Sequence, residues 1–130
     1  MTVFIGVVHK DPDSAYGIQF PDAPGCISAA DQFEDLPRMA AEALALWCED
    51  AEPVTPRSLD EVRTDPDVIR DLQDGAVLLA VPLIRLSGRT VKANLTLDAG
   101  LLQAIDAAAR ARGLSRSAFM ADAARRELTG

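Results

Sequence analysis

The spacing of apolar residues changes three times along this 130-residue chain. TVFIGVV, near the N-terminus, is rich in β-formers and is followed by the polar turn HKDPDS. YGIQF then places Tyr16, Ile18 and Phe20 on one face of a second strand. Pro24-Gly25 suits the central positions of a type II turn, and CISAA makes a third short strand. From Asp31 the period lengthens to that of a helix. Met39, Ala40, Ala43, Leu44, Leu46 and Trp47 form an apolar face that runs to about Asp50, with Asp31 and Glu34 at capping-box spacing. Pro37 is tolerated only in a first turn, so the helix starts near Asp35 or bends. EPVTPRS reads as a loop, and SLDEV and DPDVIRDL as short helical turns, each opening on a capping residue or Asp-Pro. AVLLAVPLI is a continuous apolar run of strand length, the pattern of a central strand buried on both faces. The first part is therefore β-β-β-α-β, with Trp47 in the core and its helix on one side of the sheet.

After a hinge at RLSGRT, carrying Ser87 and Gly88, the alternation returns. In VKANLTL, Val91, Ala93, Leu95 and Leu97 alternate with Lys92, Asn94 and Thr96. Asp98 caps a helix over 99–112 that Gly113 ends, and Ser115 caps a second helix over 116–128, whose inner face includes Phe119, Met120 and Ala123. No later segment offers a strand to pair with 91–97. One strand and two helices in about 40 residues cannot close a core alone, but two copies can. Antiparallel pairing of residues 91–97 from two chains satisfies the backbone and packs the apolar faces against four helices. The polar faces then form a two-stranded ribbon of the width that fits a DNA major groove, where Lys92, Asn94 and Thr96 reach base edges. The start of the second helix offers Ser115, Arg116 and Ser117 to phosphate.

Charge sharpens this division. The whole chain has a net charge of −7, which by itself argues against nucleic acid. Residues 1–84 hold 5 Lys/Arg against 16 Asp/Glu, whereas residues 85–130 hold 8 against 4. An acidic body of −11 thus precedes a basic tail of +4, and the two suit different partners. Lys92, Asn94 and Thr96 would also suit the solvated face of an edge strand; the basic charge and the helices behind them favour DNA. Cys26 and Cys48 lie in apolar contexts without C-x-x-C spacing, which favours reduced thiols over a disulfide or metal site. The N-terminus lacks a basic n-region, and no window reaches the length of a membrane helix, so the expected location is cytoplasmic. No motif calls for a cofactor or a metal.

KANLTLDAGLLQAIDAAARARGLSRSAFMADAARREL resembles a ribbon-helix-helix DNA-binding module, through the alternating strand, the Asp cap and Gly-Leu-Ser-Arg-Ser between the helices. The preceding part resembles the HicB antitoxin domain, through YGIQFPDAPGCISAADQFEDLPRMAAEALALW and the later AVLLAVPL; Pro37 departs from the helix-favouring residue expected there. The resemblance implies an α+β chain: a truncated RNase H-like β-β-β-α-β domain over 1–84, a linker over 85–90, and a dimeric ribbon-helix-helix module over 91–130. It also implies a HicA-like toxin partner, an mRNA-cleaving ribonuclease covered by the acidic domain, and operator DNA bound by the homodimer or a tetramer to repress the shared operon. Such a chain is not an enzyme. The RNase H likeness brings Asp11, Asp13, Asp22 and Asp31 to mind as nuclease carboxylates, but Asp11-Pro12-Asp13 and Pro21-Asp22 are turn chemistry. His9 reads as a strand-end surface residue with no nucleophile or acid beside it. The competing class is a ligand-responsive ribbon-helix-helix repressor with no toxin partner.

Overall fold

The first unit is built on β1, Val3–Lys10, in a computed structural model that describes residues 2–85 and 89–129. Phe4 and Val8 point to one face of the sheet and Ile5 and Val7 to the other, and all four are buried. β2 (Tyr16–Gln19), β3 (Ile27–Ala30) and β4 (Val77–Pro82) complete an antiparallel sheet in the order β3-β2-β1-β4. The expectation that AVLLAVPLI is the central strand is corrected: among the described residues β4 pairs only with β1 and lies at the sheet edge. Its apolar run has another cause. Leu79 and Val81 pack into the core on one face and Leu78 into the core on the other. A continuous apolar run reports two covered faces, not two hydrogen-bonded neighbours.

α1, Leu36–Asp50, covers the first face with Leu36, Ala40, Ala41 and Leu44. Gly6 lies on this face too, where an added Cβ would come within 2.4 Å of the Ile18 side chain, so any larger residue there has to push Ile18 aside. The opposite face is covered as well, in line with the burial on both faces that the apolar run AVLLAVPLI suggests. Val62 of α2 (Leu59–Val62) and Val68 of α3 (Pro66–Gln73) bury Ile5 and Val7 there. The capping spacing of Asp31 and Glu34 goes unused. A 3-10 turn, Phe33–Asp35, precedes α1, and Pro37 falls in its first turn. A start at Asp31 would have set Pro37 inside the helix, without a donor and against the preceding turn. The capping box forms instead at α2, where the Ser58 hydroxyl accepts from the Glu61 amide at 3.2 Å and Glu61 accepts from the Ser58 amide at 3.1 Å. The β2–β3 connection turns at Pro24-Gly25, with Gly25 at φ +87° and the Cys26 amide donating to the Ala23 carbonyl at 3.0 Å, as a type II turn requires.

The chain divides into two compact units, Met1–Arg85 and Leu86–Leu128. The hinge expected at Ser87 and Gly88 lies outside the described residues. In the second unit, the Asp98 carboxylate accepts from the Leu101 amide at 3.0 Å and opens α4, Ala99–Ala111. α4 ends in a Schellman motif. Gly113 takes φ +67°, and the Leu114 and Gly113 amides donate to the Ala109 and Arg110 carbonyls at 2.8 and 3.1 Å. The Ser115 hydroxyl accepts from the Ala118 amide at 3.1 Å and begins α5, Arg116–Thr129. Residues 89–98 carry no helix, and among the described residues no strand pairs with them. Ala109 alone is buried among the described residues of this unit.

Candidate functional site

Lys92, Asn94 and Thr96 are all exposed in the segment leading to α4. The apolar residues between them are exposed too: Val91 keeps 78% of its surface and Leu95 67%. On α4, Leu101 keeps 50%. Phe119 and Met120 are half-buried, while Ala123 is exposed. A single copy of this unit therefore leaves its apolar side open.

At the start of α5 the Ser115 hydroxyl is taken by the Ala118 amide, and the Phe119 amide donates to the Ser115 carbonyl at 3.0 Å. The amides of Arg116 and Ser117 are left at the open end of the helix, the arrangement that accepts an anion. The Arg116 side chain is otherwise engaged. Its guanidinium forks onto Asp106 of α4, with both bonds at 2.8 Å. The pair lowers the Asp106 pKa and raises that of Arg116. A second clasp joins the helices where Arg112 and Arg126 share the Asp122 carboxylate at 3.3 and 2.6 Å, with Arg112 also 5.7 Å from the Phe119 ring centre. Sequence reading missed these ties. The partners Arg116 and Asp106 stand ten residues apart across Gly113, a spacing with meaning only once the helices fold back.

In the first unit, Asp22 is held by Arg57, which donates from its amide and its Nε at 2.8 Å each. The same guanidinium reaches Asp65 at 3.1 Å, so one arginine ties the β2–β3 connection to the start of α3. The Asp65 pKa is lowered, first by the Asp67 amide and then by Arg57. Asp11 sits in the β1–β2 turn, where its amide donates to the Ser14 hydroxyl at 3.1 Å. His9 is half-buried in β1, opposite Gly17. Cys26 is buried and Cys48 half-buried, both free; burial and then the neighbouring Cys48 push the Cys26 thiol up. Among the described residues no group of three or more His, Cys, Asp or Glu is arranged to hold a metal ion, and no helix is long and apolar enough to cross a membrane.

Trp47 departs from the expected core position. It packs against the core from its rim, half-buried, and donates from Nε1 to the Pro24 carbonyl at 3.0 Å. Beside it a shallow cleft of about 470 Å³ runs between the β2–β3 turn at Gly25 and Cys26 and the α1 stripe Ala43, Leu46, Trp47 and Asp50.

A family described as HicB-like antitoxin of bacterial toxin–antitoxin systems matches residues 4–124, nearly the whole chain. The chain belongs to the HicB-like antitoxin family. Its α+β architecture resembles solved HicB antitoxins. The crystal structure of the Burkholderia pseudomallei antitoxin HicB is 28% identical, with a TM-score of 0.56 over 98% of this chain and 99% of that one. The antitoxin HicB3 crystal structure is 29% identical, with a TM-score of 0.51 over 98% of both chains. A chain of the HicA3 and HicB3 toxin–antitoxin complex is 24% identical, with a TM-score of 0.52 over 64% of this chain and 99% of its own, a likeness of fold. No curated protein matches this HicB-like chain.

Proposed function

We propose that this chain is the antitoxin of a HicA/HicB-type pair that both neutralises its toxin and represses its own operon. The acidic first unit, truncated RNase H-like, covers a HicA-like mRNA-cleaving toxin. The second unit forms a ribbon-helix-helix homodimer on operator DNA. Support for the toxin partner comes from family membership and from the relative described as a HicA3 and HicB3 complex. The observation that carries the DNA half is the uncovered apolar row Val91, Leu95 and Leu101 beside an unpaired segment whose alternate residues are Lys92, Asn94 and Thr96. A second copy covers that row and supplies the missing ladder, which turns the polar row outward as a two-stranded ribbon. The Arg116 and Ser117 amides, with Ser115 as cap, take a phosphate at the start of α5, and the Asp106 fork fixes the Arg116 side chain beside it. Linkage of the two units runs through 85–90.

The test is co-expression of the tagged chain with the product of any small basic reading frame adjacent to its gene, followed by pull-down and by binding to the DNA upstream of the two genes. Capture of a protein whose RNA cleavage stops on binding is the expected result. A chain that binds that DNA yet captures no toxin would instead fit the repressor reading.

A further inference from the structure

We propose that the cleft between the β2–β3 turn and the outward stripe of α1 is where a basic protein partner inserts an apolar side chain flanked by lysine or arginine. The proposal rests on the toxin reading above and gives that partner its docking surface. Leu46 keeps 65% of its surface exposed although it stands midway along a packed helix. Half-buried Trp47, fixed by its bond to the Pro24 carbonyl, gives the cleft a rigid aromatic wall. Around Leu46 the charges are of one sign. Glu42 stands one turn before it, and Glu49 and Asp50 one turn after. No Lys or Arg among the described residues forms an ion pair with these three.

Two further considerations select the occupant. Glu49 and Asp50 close a helix that has no basic residue in its last turn, so they sit at the negative end of its dipole, where carboxylates destabilise it. Charges placed where they weaken the fold point to a use outside it. A second copy of this chain is a poor occupant, because a two-fold contact through Leu46 would bring the two acidic rims of Glu42, Glu49 and Asp50 against each other. Nucleic acid is repelled by the same carboxylates. A cationic protein surface with an apolar tip satisfies both the cleft and its rim, as anchors in a charged ring do at interfaces.

The experiment measures affinity of the full chain for the toxin captured above, with Leu46→Ser, the double variant Glu49→Lys/Asp50→Lys, and Ile69→Ser on α3 as a control. Leu46→Ser is expected to weaken binding by about thirtyfold, the loss typical of a central anchor. The double charge variant is expected to raise the melting temperature while slowing association by about tenfold at low salt, a split that no folding defect produces. Ile69→Ser should bind as the parent does. Parental affinity in both the Leu46 and the charge variants overturns the proposal while leaving the toxin reading intact. A change in the sedimentation of the chain alone on Leu46→Ser makes the cleft a self-contact and overturns it too. Failure of the parent chain to capture any toxin removes the toxin reading and this proposal together.

Discussion

Asn94 stands between Lys92 and Thr96, and its amide carries donor and acceptor on one planar group, the combination that reads adenine in a major groove. Asn94→Ala is expected to cost about 1–3 kcal/mol against operator DNA and to flatten discrimination at that base, with little change on scrambled DNA. Equal weakening on both DNAs would show that the row does not read sequence. Arg116 should behave differently. Arg116→Ala is expected to weaken every DNA alike and to shallow the salt dependence by about one phosphate contact per chain. An unchanged salt slope would reduce Arg116 to a tie between α4 and α5, since both prongs of its fork already meet Asp106. Acid acts on the first unit through carboxylates whose pKa the fold lowers. Glu61 is lowered by the Ser58 amide and hydroxyl, and Asp65 by the Asp67 amide and Arg57. A lowered folded value means that the stabilisation is complete above the unfolded values, at about pH 5, and is lost as the pH falls through the folded values. Melting temperature should therefore drop on acidification below pH ~5, and by less in Asp65→Asn, which keeps the cap but gives up the charge facing Arg57.

Elements whose signals are local are legible in the sequence alone. Ser58 with Glu61, Asp65-Pro66, Asp98, Gly113 and Ser115 each mark a helix end within a few residues, and each acts there. What escapes such reading is long-range. The edge position of β4, the second layer formed by α2 and α3, and the Arg57 bridge depend on which segments meet, and no short window encodes that. Pro37 is the intermediate case: its conflict with the Asp31–Glu34 spacing is visible in the sequence, and the 3-10 turn resolves it by moving the start of α1 to Leu36. Of the candidate site, the polar row and the helix start can be read from alternation and capping, whereas the Asp106 fork and the Trp47 cleft cannot. Two substitutions probe these elements by thermal melting. Gly113→Ala is expected to destabilise the α4–α5 hairpin by about 1 kcal/mol, because a left-handed backbone is strained for alanine. Gly6→Val should cost the first unit about 1–3 kcal/mol through overpacking against Ile18.

At the scale of the molecule, an acidic unit and a basic unit share one chain but differ in how they hold themselves together. The first closes its own core on both faces of a sheet. The second buries only Ala109 among its described residues. The fragment 85–130 should therefore sediment as a dimer or be unfolded on dilution; a stable folded monomer at low concentration would end the ribbon reading. This asymmetry makes gene dosage a structural variable. Pairing is second order, so far below the dissociation constant a halving of the chain's concentration cuts the paired form about fourfold, while the self-sufficient first unit falls only twofold. On the proposed function, a cell that dilutes this protein by growth would thus relieve its promoter before it disarms the shield against the toxin, and synthesis would restart while protection still held.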